Sequence, residues 1–438
     1  MTIVEARVTA KDVYRKVNRR ILPMLLICYT FAYLDRVNIG FAKLHMQEDM
    51  PMLTDAVFGV ASGIFFLAYA TLEIPSNLLM NKIGARRTIT RIMVLWGLAS
   101  SLTMFVTEPW QLYTLRIILG IFEAGFAPGI ILYLTYWYPA KRMAAVMGVY
   151  MLAGPIGSIL GSGGSALIIA SLDGVGGLSG WQWMFPIQGL PAVALGIIFW
   201  KLMSDTPDEA KWLNKEELAV IHRDRAETES NHTASRFVDA LKNVQVHVMA
   251  LAYFGIMCGI YATTFWMPTI LKENGIENNT VNGLLTALPY FVTIPVMVLL
   301  TRSSDKSQDR FWHALVPTLL AAMALVAAAV LSANFWISYL ALCVAVFSVW
   351  GAYTVFWAVP SKAFGGTAAA GGIAYINTMG ILGGFVAPMI IGFVKTATGS
   401  TEGGLLTMVG LLILSAGALV VLKRVLFDKE KAEAPVEL

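Results

Sequence analysis

Residues 204–242 read SDTPDEAKWLNKEELAVIHRDRAETESNHTASRFVDALK, the longest polar stretch in a chain that is otherwise strongly apolar. Six apolar runs precede it, at about 21–42, 56–80, 88–106, 110–138, 143–170 and 184–203. Six follow it, at about 245–271, 280–301, 312–332, 335–360, 369–395 and 404–425. Each is close to or above the ~20 residues that a helix needs to cross hydrocarbon. The runs are continuous, which excludes membrane strands, since those show ~10-residue alternating segments. The expected fold is an all-α membrane protein with twelve transmembrane helices in two six-helix bundles, residues 1–203 and 243–438, joined by the cytoplasmic linker 204–242. The SDTPDEAKWLNKEEL at its head predicts an N-capped amphipathic helix.

Composition supports that reading. Of 438 residues, 57% are hydrophobic and 14% charged, against about 25% charged in soluble domains. So apolar a chain has lipid as its solvent, and it lies far from the polar, charge-rich composition of disorder. A net charge of +4 is too weak to imply a nucleic-acid partner. No small-residue cleavage site follows the first apolar run, so a cleaved leader is not expected.

Lys and Arg set the orientation. All but five of the 32 fall on one side of the twelve spans. The exceptions are Lys43, Lys272 and Lys395 on the opposite side, and Arg36 and Arg116 inside spans. Both termini are therefore expected in the cytoplasm.

An internal repeat supports the division into halves. Asn81-Lys82 followed by Arg86 after span 2 parallels Asp305-Lys306 followed by Arg310 after span 8, and Pro139-Ala140-Lys141 parallels Pro360-Ser361-Lys362. Both offsets are close to half the chain. Duplicated bundles with a site between them are typical of secondary transporters.

Charge inside a bilayer costs at least ~2.5–3.5 kcal/mol per residue, so it marks function. Asp35, Arg36, Glu73, Arg116 and Glu123 lie inside spans, all in the first half, and the second-half spans carry no charge away from their ends. Arg116 and Glu123, seven apart, share one helix face ~10 Å apart along the axis, too far for direct pairing. Adjacent Asp35 and Arg36 point ~100° apart and can address different partners, Arg36 a substrate and Asp35 a group on span 4. Tyr69 and Glu73 share a face just before Pro75. Arg presents a bidentate fork to carboxylate, and a buried acid beside it can exchange a proton against the anion. These residues predict anion binding coupled to protons, with structural ion pairing as the alternative; for Glu73 the alternatives are packing beside Pro75 or gating.

At these residues the chain resembles the major facilitator superfamily and, more narrowly, its anion:cation symporter family. The stretches that carry the resemblance are Tyr33-Leu34-Asp35-Arg36-Val37-Asn38-Ile39-Gly40-Phe41-Ala42, Glu73-Ile74-Pro75-Ser76-Asn77 and Arg116 through Glu123-Ala124-Gly125-Phe126, with Phe356-Trp357-Ala358, Asn377 and Gly383-Gly384-Phe385 in the second half. It extends over all twelve spans. SLDGVGGLSGWQWMF and DTPDEAKWL look most like the hydroxyphenylacetate permease branch. The resemblance implies proton-coupled uptake of an organic carboxylate, an aromatic or sugar acid, across a bacterial cytoplasmic membrane. By the same resemblance, Asp35 and Glu123 take protons, while Arg36, Arg116, Tyr69 and Asn377 meet the anion. Trp357 and Tyr375, on either side of the Asn377 region, are candidate aromatic wall residues. Asn81, Arg86, Asp305 and Arg310 form the cytoplasmic gate motif. The family pattern has Gly and Asp where this chain has Asn77 and Asn81, which weakens the first-half copy.

The remaining motifs are bland. Gly154-Pro155-Ile156-Gly157 with Gly161, and the glycines from Gly371 to Gly384, read as packing surfaces. Cys28, Cys258 and Cys343 are isolated and the five histidines show no ligand spacing, so neither metal nor cofactor is expected. No G-x-x-x-x-G-K-[ST], HExxH or GxSxG occurs, against an ATP-driven pump and against an enzyme. The expected partners are a small organic anion, protons and the lipid bilayer, and one chain with two bundles suffices as a monomer. The competing readings are an anion exchanger or efflux system on the same fold, a membrane enzyme, and a nutrient receptor without flux.

Overall fold

The computed structural model describes residues 9–229, 242–359 and 367–433. Among them all regular structure is helical. The first half holds α1 (Ala10–Asp49), α2 (Asp55–Ile83), α3 (Ala85–Leu102), α4 (Pro109–Glu123), α5 (Phe126–Trp137), α6 (Ala140–Met151), α7 (Ala153–Leu172) and α8 (Gly180–Leu202). The linker carries α9 (Lys215–Glu229). The second half holds α10 (Val244–Glu273), α11 (Asn279–Ser307), α12 (Phe311–Val330), α13 (Phe335–Phe356), α14 (Thr367–Thr398) and α15 (Glu402–Glu433).

Four of the expected elements differ in detail. The first span is the middle of a 40-residue helix, about 60 Å long at 1.5 Å per residue, so both ends project beyond the hydrocarbon. Its cap is Thr9, whose side chain accepts from the Asp12 amide. The fourth span is two helices, α4 and α5, because Gly125 takes a left-handed conformation (φ 84°) directly after Glu123 and Ala124. A side chain at 125 would also crowd Ser76, whose Oγ lies 2.6 Å from where the Cβ would be. The fifth span likewise breaks at Leu152 between α6 and α7. In the linker the helix starts at Lys215, after a short turn at Pro207–Glu209. Asn214 Oδ1 accepts from the Glu217 amide while Glu217 accepts from the Asn214 amide, a reciprocal N-terminal cap.

Within the first half α1 packs on α7 and α8, α3 on α8, and α2 on α4. Within the second, α10 packs on α14 and α15, and α12 on α13 and α15. Among the described residues the main contacts between the halves are α2 with α14, α7 with α11, and α1 with α10. Glycine makes the α2–α14 seam close. A Cβ on Gly59 would lie 2.6 Å from the Pro388 carbonyl oxygen, and one on Gly63 2.6 Å from that of Phe385. The glycines read as packing surfaces do pack: Gly157 faces the Thr30 carbonyl, and Gly383 that of Phe254.

Candidate functional site

Arg36, Arg116 and Glu123 converge in the interior of the first half. Arg36, only 6% exposed, donates from Nε to Glu123 Oε1 at 2.8 Å, and its Nη2 contacts the same oxygen. Glu123 is wholly buried. Its other oxygen, Oε2, has no hydrogen-bond partner. The Arg36 guanidinium also sits over the rings of Tyr33, Phe65 and Tyr69, 5.3, 5.7 and 5.4 Å from their centroids. Such cation–π contacts lower the cost of a desolvated cation.

Arg116 does not bond Glu123, as the two-turn spacing predicts. Its Nε donates to the Ala61 carbonyl at 3.2 Å and its guanidinium lies 4.8 Å from the Phe65 centroid. Nη2, buried, has no hydrogen-bond partner. Phe65 therefore lies beside both arginines. An unmet guanidinium N–H in the interior is costly unless a ligand meets it.

Asp35 corrects one expectation. It turns to α3 instead of α4, accepting from Ser100 Oγ at 2.5 Å, from Asn38 Nδ2 at 3.0 Å and from the Trp96 indole. Those neutral donors cage it inside the first half. Trp96 and Ser100 were missed at the sequence level, although their spacing of four on one helix face was a usable signal.

Glu73 and Asn377 form a separate pair across the halves. Asn377 Nδ2 donates to Glu73 Oε1 at 2.7 Å, and Glu73 Oε2 has no partner. Two of the aromatic candidates lie elsewhere: Trp357 packs edge-on to Tyr253, and Tyr375 meets His247 through a 3.1 Å hydrogen bond. Among the rings that the second half brings to the first in this region are Trp350, 5.7 Å from Tyr33 between centroids, and Tyr261, 4.4 Å from Phe66. No spacing rule singles them out among the many aromatics.

The gate motif is half as expected. Asp305 pairs with Arg310 at 2.5 Å, and Arg310 also donates to Ser304 Oγ at 3.0 Å. In the first half the side chain of Asn81 lies outside the described residues. Asp205, just past α8, accepts from the Arg86 backbone amide at the start of α3 at 2.6 Å. The Arg86 guanidinium stacks on Trp200. No group of three or more His, Cys, Asp or Glu placed to hold a metal occurs among the described residues.

Twelve apolar spans around a desolvated set of arginines and carboxylates, with glycine seams between halves, are the build of a membrane transporter. The chain belongs to the Major Facilitator Superfamily, whose family model matches residues 25–388. Among its relatives, an Agrobacterium vitis protein named for tartrate transport is 42% identical, over 97% of this chain and 98% of that one. An Acinetobacter baumannii protein named as a quinolone resistance transporter is 37% identical over 90% of this chain and 91% of its own. Among solved structures, a bacterial homologue of the human lysosomal transporter Spinster, inward-facing and occupied, superposes with a TM-score of 0.74 at 17% identity, covering 94% of this chain and 97% of the other.

Proposed function

We propose that the protein imports an organic carboxylate together with protons across the bacterial cytoplasmic membrane, with residues 1–203 and 243–438 rocking about the central site as two bundles. The observation that carries this reading is the Arg36–Glu123 pair lying near a second arginine, Arg116, with one Glu123 oxygen and one Arg116 nitrogen unmet. Protonating Glu123 removes the charge that holds Arg36. Both guanidinium groups can then address a substrate carboxylate, and the neutralised site can close. Toward the cytoplasm, loss of the proton restores the Glu123 carboxylate, which competes for Arg36 and expels the anion. Asp35 is the second proton site, and Glu73 with Asn377 couples the halves. Tyr69 holds Arg36 by ring contact.

The carboxylate belongs to the aromatic or sugar acids, and the tartrate relative adds small hydroxylated diacids to the panel. Purified protein in liposomes, offered that panel, tests the substrate class. Glu123→Gln tests coupling: accumulation driven by a pH gradient disappears while exchange of substrate across the membrane persists. Gradient-driven accumulation that survives the substitution sinks the assignment.

One observation favours a second reading, exchange or efflux on the same fold: the quinolone-resistance relative. Lumenal acidification accompanying substrate uptake supports symport, and its absence supports the exchanger.

A further inference from the structure

Lys43 reads from sequence as a residue on the outer side, beyond the end of span 1, yet it is completely buried. Its ammonium lies 4.0 Å from the centroid of Trp266 and 5.0 Å from that of Phe58, and it donates to Thr269 Oγ1 of α10 at 3.1 Å. Its ionic partner is Asp55 Oδ1, at 2.5 Å, at the start of α2. The other oxygen of Asp55 receives Lys395 of α14 at 3.1 Å. Lys395 continues to Glu273 Oε1 of α10 at 2.9 Å, and Glu273 is held in turn by Thr401 at 2.6 Å.

The four charges therefore alternate, Lys43, Asp55, Lys395, Glu273, and the chain crosses from one half to the other once, between Asp55 and Lys395. Beside that crossing the Ala56 amide donates to Thr396 Oγ1 at 2.9 Å. All of this lies at the outer end of the α2–α14 seam, where Gly59 meets Pro388.

We propose that these four residues are the outer latch of the transport cycle, and that Asp55–Lys395 is the largely buried ionic contact that breaks when the path opens to the outside, Lys272–Glu48 being an exposed second contact between the halves. The alternation makes the break reversible. When the halves part, Lys43 keeps Asp55 within the first half and Lys395 keeps Glu273 within the second, so neither side is left with a lone desolvated charge. A single acid held by one cation from each half is a shared pivot. Removing it leaves the buried Lys43 without a counter-charge and Lys395 with Glu273 alone, and breaking such a set by deleting one partner costs far more than separating it into neutral pairs.

The latch goes beyond the assigned substrate and can be read without one. The test uses the full chain with Cys28, Cys258 and Cys343 replaced by Ala and Phe265→Cys as reporter. Phe265 is fully buried on α10 against Phe66 of α2. In right-side-out vesicles, a membrane-impermeant maleimide labels this cysteine slowly while the latch is closed. Asp55→Asn and Lys395→Gln are each expected to raise the labelling rate about fivefold or more, and the double substitution to add little beyond the larger single effect. Lys272→Gln removes the exposed rim pair with Glu48 and leaves the rate near that of the parent. Parent-like labelling in Lys395→Gln overturns the proposal even where Asp55→Asn fails to fold. A wrong substrate assignment leaves these rates untouched, so the two failures are distinguishable.

Discussion

The two halves share a length and a repeat but divide the chemistry unequally. In the first half three buried carboxylates and two buried arginines sit in the interior. The second half meets them with neutral groups, among them the Asn377 amide and the rings of Trp350 and Tyr261. Its own ions lie at its ends, in the Asp305–Arg310 pair on one side and Lys395–Glu273 on the other. On the proposed function, the difference assigns proton and anion to one half alone and leaves the other to supply a neutral face. Charge at only one wall also limits desolvation, since a closing site that brought ions from both walls would need every one paired at once.

The hardest test of this division is Arg36→Ala. It strands the wholly buried Glu123, and removing one member of a buried pair costs ~3–5 kcal/mol. Purified in detergent, the variant should unfold several degrees below the parent. Arg36→Gln combined with Glu123→Gln should regain most of that loss and still fail to transport. Equal stability of the single and double variants would break the claim that the pair, and not mere packing, organises the first half.

A smaller effect compares the halves directly. Arg116→Ala removes a charged donor, worth ~1.5–3 kcal/mol per hydrogen bond, so substrate affinity should fall about 10- to 100-fold in a binding assay. Asn377→Ala removes a neutral donor worth ~0.5–1.5 kcal/mol, a loss of about two- to tenfold. A larger loss at Asn377 than at Arg116 would move the anion site into the second half.

Much of this was legible in the sequence for a physical reason. Hydropathy summed over ~20 residues is a strong signal, and intramembrane charge is costly enough to be placed with purpose, so the spans and Arg36, Arg116 and Glu123 stood out. What hydropathy cannot report lies beyond the bilayer or in partner choice. The ends of α1 are polar whether helical or not, so a 40-residue helix looked like a span with a basic leader, and Lys43 looked solvated. The break at Gly125 was hidden because a glycine in an apolar run is compatible with either packing or a turn. Arg36 choosing Glu123, and Asp35 choosing Trp96 and Ser100, are contacts between helices far apart in sequence, which periodicity does not address. Asp205 accepting from the Arg86 amide is of the same kind.

The smallest expected effect asks where the first half ends. The linker docks on it: Trp212 stacks on Trp137 of α5, Arg20 of α1 lies over Trp212, and Lys16 of α1 donates to both oxygens of Glu217 at 2.9 and 2.7 Å. Partial burial pushes the Glu217 carboxyl up, but the hydrogen bonds from Lys16 and from the Asn214 amide, with the Lys16 charge, outweigh it and hold the group below its ordinary value of 4.5. A carboxyl lowered in the folded state stabilises docking fully above that ordinary value and loses the contribution as pH falls through the lowered one. The pair is partly solvated, so it is worth ~0.2–1 kcal/mol. Limited proteolysis at pH 7 should therefore cut the 204–242 segment of Glu217→Gln up to about fivefold faster than the parent, without changing transport kinetics. Lowering the pH from about 4.5 down through the lowered value should progressively erase the difference by loosening the parent. If Glu217→Gln alters transport as strongly as it alters cleavage, the linker is part of the moving machinery and not an appendage of the charged half.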